Sequence, residues 1–337
     1  MNYFKYLYRF TDIPPLLWRV KSRLGRQRDF LNSVAMTGIM KHCENQDGTI
    51  DEEDLKKIEK YYGLAVPAIL GEAYADLRGK PLSERERTAA TFLGASTGLF
   101  DDFFDKKELT DEYVKNLYTY PETFTGQNSN EQLCNYCWTQ ALTFATSKSL
   151  LLKFAAKVHE AQIESRKQVS ADVAPHVIRE ITFDKGGFSV IFYLALFYDK
   201  IPYEDEYLFY NVGALLQLEN DLFDVYKDSR ANINTLVTMG EDMELVYALY
   251  ADQWKKVCLL IKETAYPAKG KKAFASLLAA LVSRGFVCLQ MLQKRQKENN
   301  GKFDPHAFSR KQLICDMEKP VNLIRTIGYY GYILQNY

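Results

Sequence analysis

Two acidic strings carry the residue types and spacings most able to do chemistry. The first, GLFDDFFDKKEL at 98–109, sets Asp101, Asp102 and Asp105 among Phe100, Phe103 and Phe104. On a helix these carboxylates are three or four residues apart and point roughly one way. Like charges so placed repel by a few tenths of a kcal/mol per pair in water, and partial burial enlarges the penalty and raises their pKa values. Lys106 and Lys107 point towards the following turn, so an external cation is the natural remedy. A solvated acidic helix end would carry the same residues. The second string, LENDLFDVYKDSR at 218–230, spaces Asn220, Asp224 and Asp228 at i, i+4 and i+8. That places them along about 12 Å of one helical face, with Asp221 rotated off the line. Hard divalent cations take carboxylate and amide oxygens, and Mg²⁺ in particular keeps waters and substrate phosphates in its shell. Two such rows on facing antiparallel helices would gather several Mg²⁺ ions around a diphosphate.

Other metals fit less well. A carboxylate-bundle iron site wants Glu-x-x-His pairs, and His42, His159, His176 and His306 are dispersed. The stretch ENQDGTIDEEDL at 44–55 lacks the opening Asp of a calcium loop. It reads as a capped turn, with Thr49 as N-cap of a helix that Gly63 closes.

A leaving diphosphate also needs protein cations. Lys185 precedes Gly186 and Gly187, and paired glycines in a helical segment cost about 2 kcal/mol together. They predict a break that bares backbone N–H groups beside Lys185 and forms an anion site; an ordinary loop between helices is the competing expectation. Lys227 and Arg230 flank the second row as phosphate ligands or as salt partners of Asp224 and Asp228. Arg179 is a further candidate for the diphosphate, although it need not share a face with Lys185.

The elements that must hold these residues are helices almost throughout. GTIDEEDLKKIEKYYGL, PLSERERTAATFLGASTGLFDDFFD, YEDEYLFYNVGALLQLENDLFDVYKD and KKAFASLLAALVSRGFVCLQMLQKRQKEN all repeat their apolar residues at helical spacing. NEQLCNYCWTQALTFATSKSLLLKFAAKVHEAQIESRKQV is one long helix or two joined near 147–149. No segment alternates long enough to argue a sheet. The fold expected is all-α and single-domain, residues 1–30 forming an arm or first helix and 31–337 a bundle around an apolar cavity.

Lys plus Arg and Asp plus Glu both number 43, so no global field favours nucleic acid. Aromatics reach 14 %, enough to line an interior. Phe104, Phe188, Phe192, Tyr193 and Tyr226 lie nearest the acidic strings, and His159 with Gln162 forms a cavity pair or a solvated one. Six scattered cysteines and the lack of a leader-like start point to a reduced, cytoplasmic protein. No uninterrupted run reaches the roughly 18–20 apolar residues of a transmembrane segment. The aromatic first 28 residues, dotted with Lys and Arg, suit a packing arm better than a transient membrane-surface contact.

Asp101-Asp102-Phe103-Phe104-Asp105 resembles the first aspartate-rich motif of class I isoprenoid (terpene) synthases, and Asn220 to Asp228 resembles their second. Asp stands at 224 and 228 where terpene cyclases usually carry Ser or Thr and then Glu, which keeps oxygen ligands. The Asp-rich form followed by Arg230 is also similar to squalene and phytoene synthases. EITFDKGGFSV at 180–190 and HEAQIESRKQ at 159–168 look most like the bacterial family that includes tetraprenyl-beta-curcumene synthase. The resemblance covers roughly 90–235. It implies an isoprenoid-synthase bundle, three Mg²⁺ ions held by Asp101, Asp105, Asn220, Asp224 and Asp228, with Asp102 assisting, and a prenyl diphosphate substrate. The activity implied is cyclisation after ionisation to an allylic carbocation. The alternatives are a coupling or elongating prenyl synthase and a non-catalytic helical scaffold. Homodimers are common in the resembled superfamily, and no stripe here demands one. The Arg-Tyr pair that many cyclases carry after the second motif is missing at its usual place; the nearest equivalent is Arg325 with Tyr329 or Tyr330.

Overall fold

In the computed structural model, residues 10–42, 47–105, 109–170 and 172–335 are described, apart from the side chains of 101, 102, 104 and 105. No strand occurs among them, and the architecture is an all-α helical bundle. The helices cluster into two compact units, one of Leu17–Glu160 with Ile191–Pro202, the other of Met1–Leu16, Ala161–Val190 and Tyr203–Tyr337.

The first of these units is built on α6 (Glu84–Asp105). Ser83 caps its start: the Glu86 carboxylate accepts from the Ser83 N–H at 2.7 Å, and the Glu86 N–H reaches the Ser83 hydroxyl. Ala89, Leu93 and Leu99 bury α6 against α8 (Ser129–Phe144) and the preceding helices. α1 (Ile13–Phe30) passes through a π-helical turn into α2 (Met36–His42). A second continuous helical run holds α3 (Glu52–Lys56), α4 (Gly63–Val66) and α5 (Glu72–Arg78), joined by π turns.

Two expectations about that second run need correction. Its N-cap is Asp51, in a reciprocal capping box with Asp54, and not Thr49. Thr49 instead belongs to the turn before it, where the Asp47 carboxylate accepts from the Thr49 N–H and hydroxyl and from the Ser129 N–H; these bonds hold Asp47 well below the usual carboxylate range. Nor does Gly63 close the helix. Its N–H reaches back five residues to the Ile58 carbonyl, and a Cβ there would come within 2.6 Å of that oxygen. The glycine lets a π turn pass, and the helix runs on to Gly79, whose φ of 69° ends it.

The stretch at 130–169 resolves into two helices, α8 and α9 (Lys148–Ser165), the first of the readings its sequence leaves open being excluded by the extended backbone at Ala145. α7 is Asp111–Thr119, α10 is Pro175–Ala195 and α14 is the short Arg310–Leu313.

In the other unit α11 (Tyr203–Arg230), α12 (Met243–Glu263), α13 (Ala268–Glu298) and α15 (Pro320–Gln335) share an apolar core. Leu215, Leu222, Val257 and Leu289 fill it, and Phe286 stacks on Tyr329 at 5.3 Å between ring centroids. Gln253 fixes the register of α12 on α11 by donating to both the backbone and side-chain oxygens of Asn211 at 3.1 Å. α13 is the one helix among the described residues long and apolar enough to cross a membrane, and 67 % of its apolar stretch is buried in the protein, as in the core helix of a soluble fold.

Candidate functional site

The site is built on α10 and α11, and glycine sets their separation. Gly186 and Gly187 lie inside a continuous α10, so the predicted break with bared N–H groups does not form, and neither does a loop. Their use is close approach. A Cβ on Gly186 would stand 2.2 Å from the Gly213 carbonyl oxygen, and a Cβ on Gly213 would stand 2.1 Å from that of Gly186. Gly187 makes room for the Tyr210 ring, whose hydroxyl bonds the Asp184 carboxylate. Backbones pressed together here bring short side chains of one helix to the polar row of the other.

Asp221, which lies off the expected line, is buried at this crossing. Its carboxylate accepts from Gln217 Nε2 at 2.9 Å and from the Thr182 hydroxyl at 3.3 Å. Burial pushes its pKa up to about 6, against the downward pull of Gln217, Lys185 and Thr182. Asp228, two turns further on, is buried as well and is pushed up to about 7, by desolvation first and then by the charges of Asp224 and Asp221. Lys227 and Lys185 pull it back. Asp224 is half-buried, and Asn220 is exposed with its amide donating to Asp224 Oδ2 at 3.3 Å. Lys185 therefore acts on one carboxylate that the sequence selects, Asp228, and on Asp221, which it does not, from within a helix and not from a helix terminus.

The remaining basic candidates divide. Lys227 is exposed beside Asp228. Arg230 turns to the segment after α13: it donates to the Phe308 carbonyl at 2.9 Å, lies 3.3 Å from His306 Nδ1, and stacks over Tyr226 at 5.1 Å. Arg179 is exposed and lies over the Phe183 ring at 5.2 Å. Tyr329 and Tyr330 are buried, with the Tyr330 hydroxyl 2.8 Å from that of Ser276, which leaves them as core. His159 is also buried, 3.2 Å from the Tyr118 hydroxyl, and so is not half of a solvated pair.

Asp101, Asp102 and Asp105 fall in the last two turns of α6, and their side chains lie outside the described residues. Among the described residues no group of three or more His, Cys, Asp or Glu side chains could hold a metal ion by those residue types alone. The α11 row counts two carboxylates and an amide.

Sequence reasoning missed two residues. Asp221 carries its own signal, since Gln217 stands one helical turn before it as a ready amide donor. Glu219 is buried on the other side of α11, paired with Arg284 of α13 at 2.8 Å and raised to about 7 by desolvation; nothing local in the sequence marks it. No known protein-family model matches the chain, and no curated protein is significantly similar to it.

Proposed function

We propose that the chain is a Mg²⁺-dependent class I terpene synthase that ionises a prenyl diphosphate and cyclises the resulting allylic cation. The observation that carries this reading is the polar row of α11: Asp221 and Asp228 buried, Asp224 between them, and Lys185 acting on both buried groups. Desolvated acids with this little compensation favour cations beside them. The donor set fits Mg²⁺, because Asn220, Asp224 and Asp228 offer hard oxygens on one helical line. Asp101, Asp102 and Asp105 are proposed as metal ligands on the sequence pattern alone.

Bound there, Mg²⁺ would supply positive charge to the oxygens of the departing diphosphate. The protein's own part is to hold the row in place. Thr182 and Gln217 fix Asp221, the Gly186–Gly213 contact holds the backbone beside Lys185 close to α11, and Lys185 and Lys227 add positive charge for the leaving group. Arg230 is already committed to Phe308 and serves better to tie the end of α11 than to meet phosphate first.

The test is incubation with Mg²⁺ and prenyl diphosphates of increasing length, reading diphosphate release and product structure. Cyclic or rearranged products of one substrate unit are expected. Lengthened or coupled products would reassign the chain to a two-substrate synthase. Failure to release diphosphate from any of them would end the catalytic reading.

A further inference from the structure

α1 presents two opposite faces, and only one is used by the fold. Leu16, Arg23, Gln27 and Leu31 are buried along one side of the helix and its π-turn continuation. Arg23 reaches Asp76 at 2.6 Å and Glu72 at 3.6 Å, and Arg19 and Arg26 approach the same two acids at 3.8 Å. At 3.6 residues per turn, Leu17, Trp18, Lys21, Gly25 and Arg28 all fall within an arc of about 100° on the opposite side. Leu17 is 62 % exposed and Trp18 72 %, the cations are exposed, and nothing lies within 4 Å of a Cβ built on Gly25.

We propose that this outer face of α1 is a binding surface for anionic lipid. Two large apolar side chains stand at one end of the stripe and two cations follow one and three turns later, with Asp29 only at its margin. Leu17 and Trp18 enter the interfacial region, where an indole's amphipathic ring is favoured, while Lys21 and Arg28 meet headgroup phosphates. Charge complementarity selects the partner: the stripe carries Lys21 and Arg28, and the single acid of the Ile13–Phe30 segment, Asp29, stands at its edge, in a chain of zero net charge. A protein surface would more commonly require the middle of the stripe to be filled, and that place is held by Gly25. The inference does not depend on catalysis.

The chain has its own reporter. Of its three tryptophans, Trp138 is 1 % and Trp254 4 % exposed, so fluorescence changes on adding vesicles come from Trp18. Phosphatidylcholine vesicles and phosphatidylcholine–phosphatidylserine vesicles are added to the full-length protein, reading emission and co-sedimentation. A blue shift and pelleting with the anionic vesicles alone, weakened by salt, are expected. Lys21→Ala and Arg28→Ala should each weaken binding by about fivefold. Leu17→Ser should shrink the shift, and Trp18→Ser should lose pelleting; an unchanged thermal melt in each shows the variant folded. No shift and no pelleting with anionic vesicles would overturn the proposal. So would equal binding to neutral vesicles, or a Trp18-dependent change in oligomeric mass with no vesicle binding.

Discussion

Two carboxylate clusters, one in each unit, are treated in opposite ways. Glu72 and Asp76 sit among Arg19, Arg23, Arg26 and Arg87, with Arg87 also bonded to Gln27 at 3.0 Å. There the acids are answered by guanidinium forks, and the network fastens α1 to α5 and α6. Asp221 and Asp228 of α11 have amide and hydroxyl partners or neighbouring like charge, with lysine acting on them electrostatically. A cluster in which arginines outnumber the acids is a fastening, even with Asp76 Oδ2 and Arg23 Nε left without a hydrogen bond. A cluster short of positive charge costs stability and persists where something else supplies that charge, which is the physical case for placing chemistry on α11.

The contrast can be broken most forcefully at its arginine-rich end. Arg23→Met keeps most of the volume but takes from Asp76 its 2.6 Å partner, leaving Arg19 at 3.8 Å; urea unfolding should register a loss of about 3 kcal/mol. A loss below about 1 kcal/mol would mean the network is ornamental. Asp224→Ala addresses the other end and should lower diphosphate release by roughly 10²–10³-fold. Its chemical stability should hold or rise, because the variant relieves repulsion on Asp221 and Asp228. Unaltered release would remove Asp224 from the site.

Titration sharpens the comparison further. Asp228 binds its proton more tightly folded, at about 7, than unfolded near 3.8. Between those values the folded state holds more protons than the unfolded, so stability falls as pH rises across that window and stays lowered above it. Asp228→Asn should therefore melt higher than the native chain at pH 8, by roughly 2–4 kcal/mol at about 1.4 kcal/mol per pKa unit, and show little difference at pH 4. Added Mg²⁺ should narrow the gap at pH 8 by stabilising the native chain. Equal pH profiles would show that Asp228 is not buried in its charged state. The smallest effect belongs to the crossing itself: Gly213→Ala should cost about 1–3 kcal/mol through overpacking against the Gly186 carbonyl, read by thermal melting.

Helix positions were legible because apolar spacing and caps are local signals. α11 and α13 begin and end close to where their sequences turn polar. The two acidic strings were legible for the same reason. What local sequence does not encode is what a small residue meets. Gly63 and Gly186–Gly187 each look like helix breakers, yet the helix continues through each: Gly63 admits the Ile58 carbonyl of its own π turn, and Gly186 and Gly187 admit a carbonyl and a ring of α11. Asp221 was set aside because an isolated helix has no Thr182 beside it. Arg230 looked like a phosphate ligand because its partners Phe308 and His306 lie 78 and 76 residues away.

The bare contact between Gly186 and Gly213 also constrains how this protein can diversify. With two main chains touching, neither helix can slide without collision, so Lys185 and the acids opposite are held like teeth of meshed gears. New specificities can accumulate in surrounding rings at little mechanical cost. A methyl group at the mesh would shift the whole polar row at once, so natural variants should keep both positions bare.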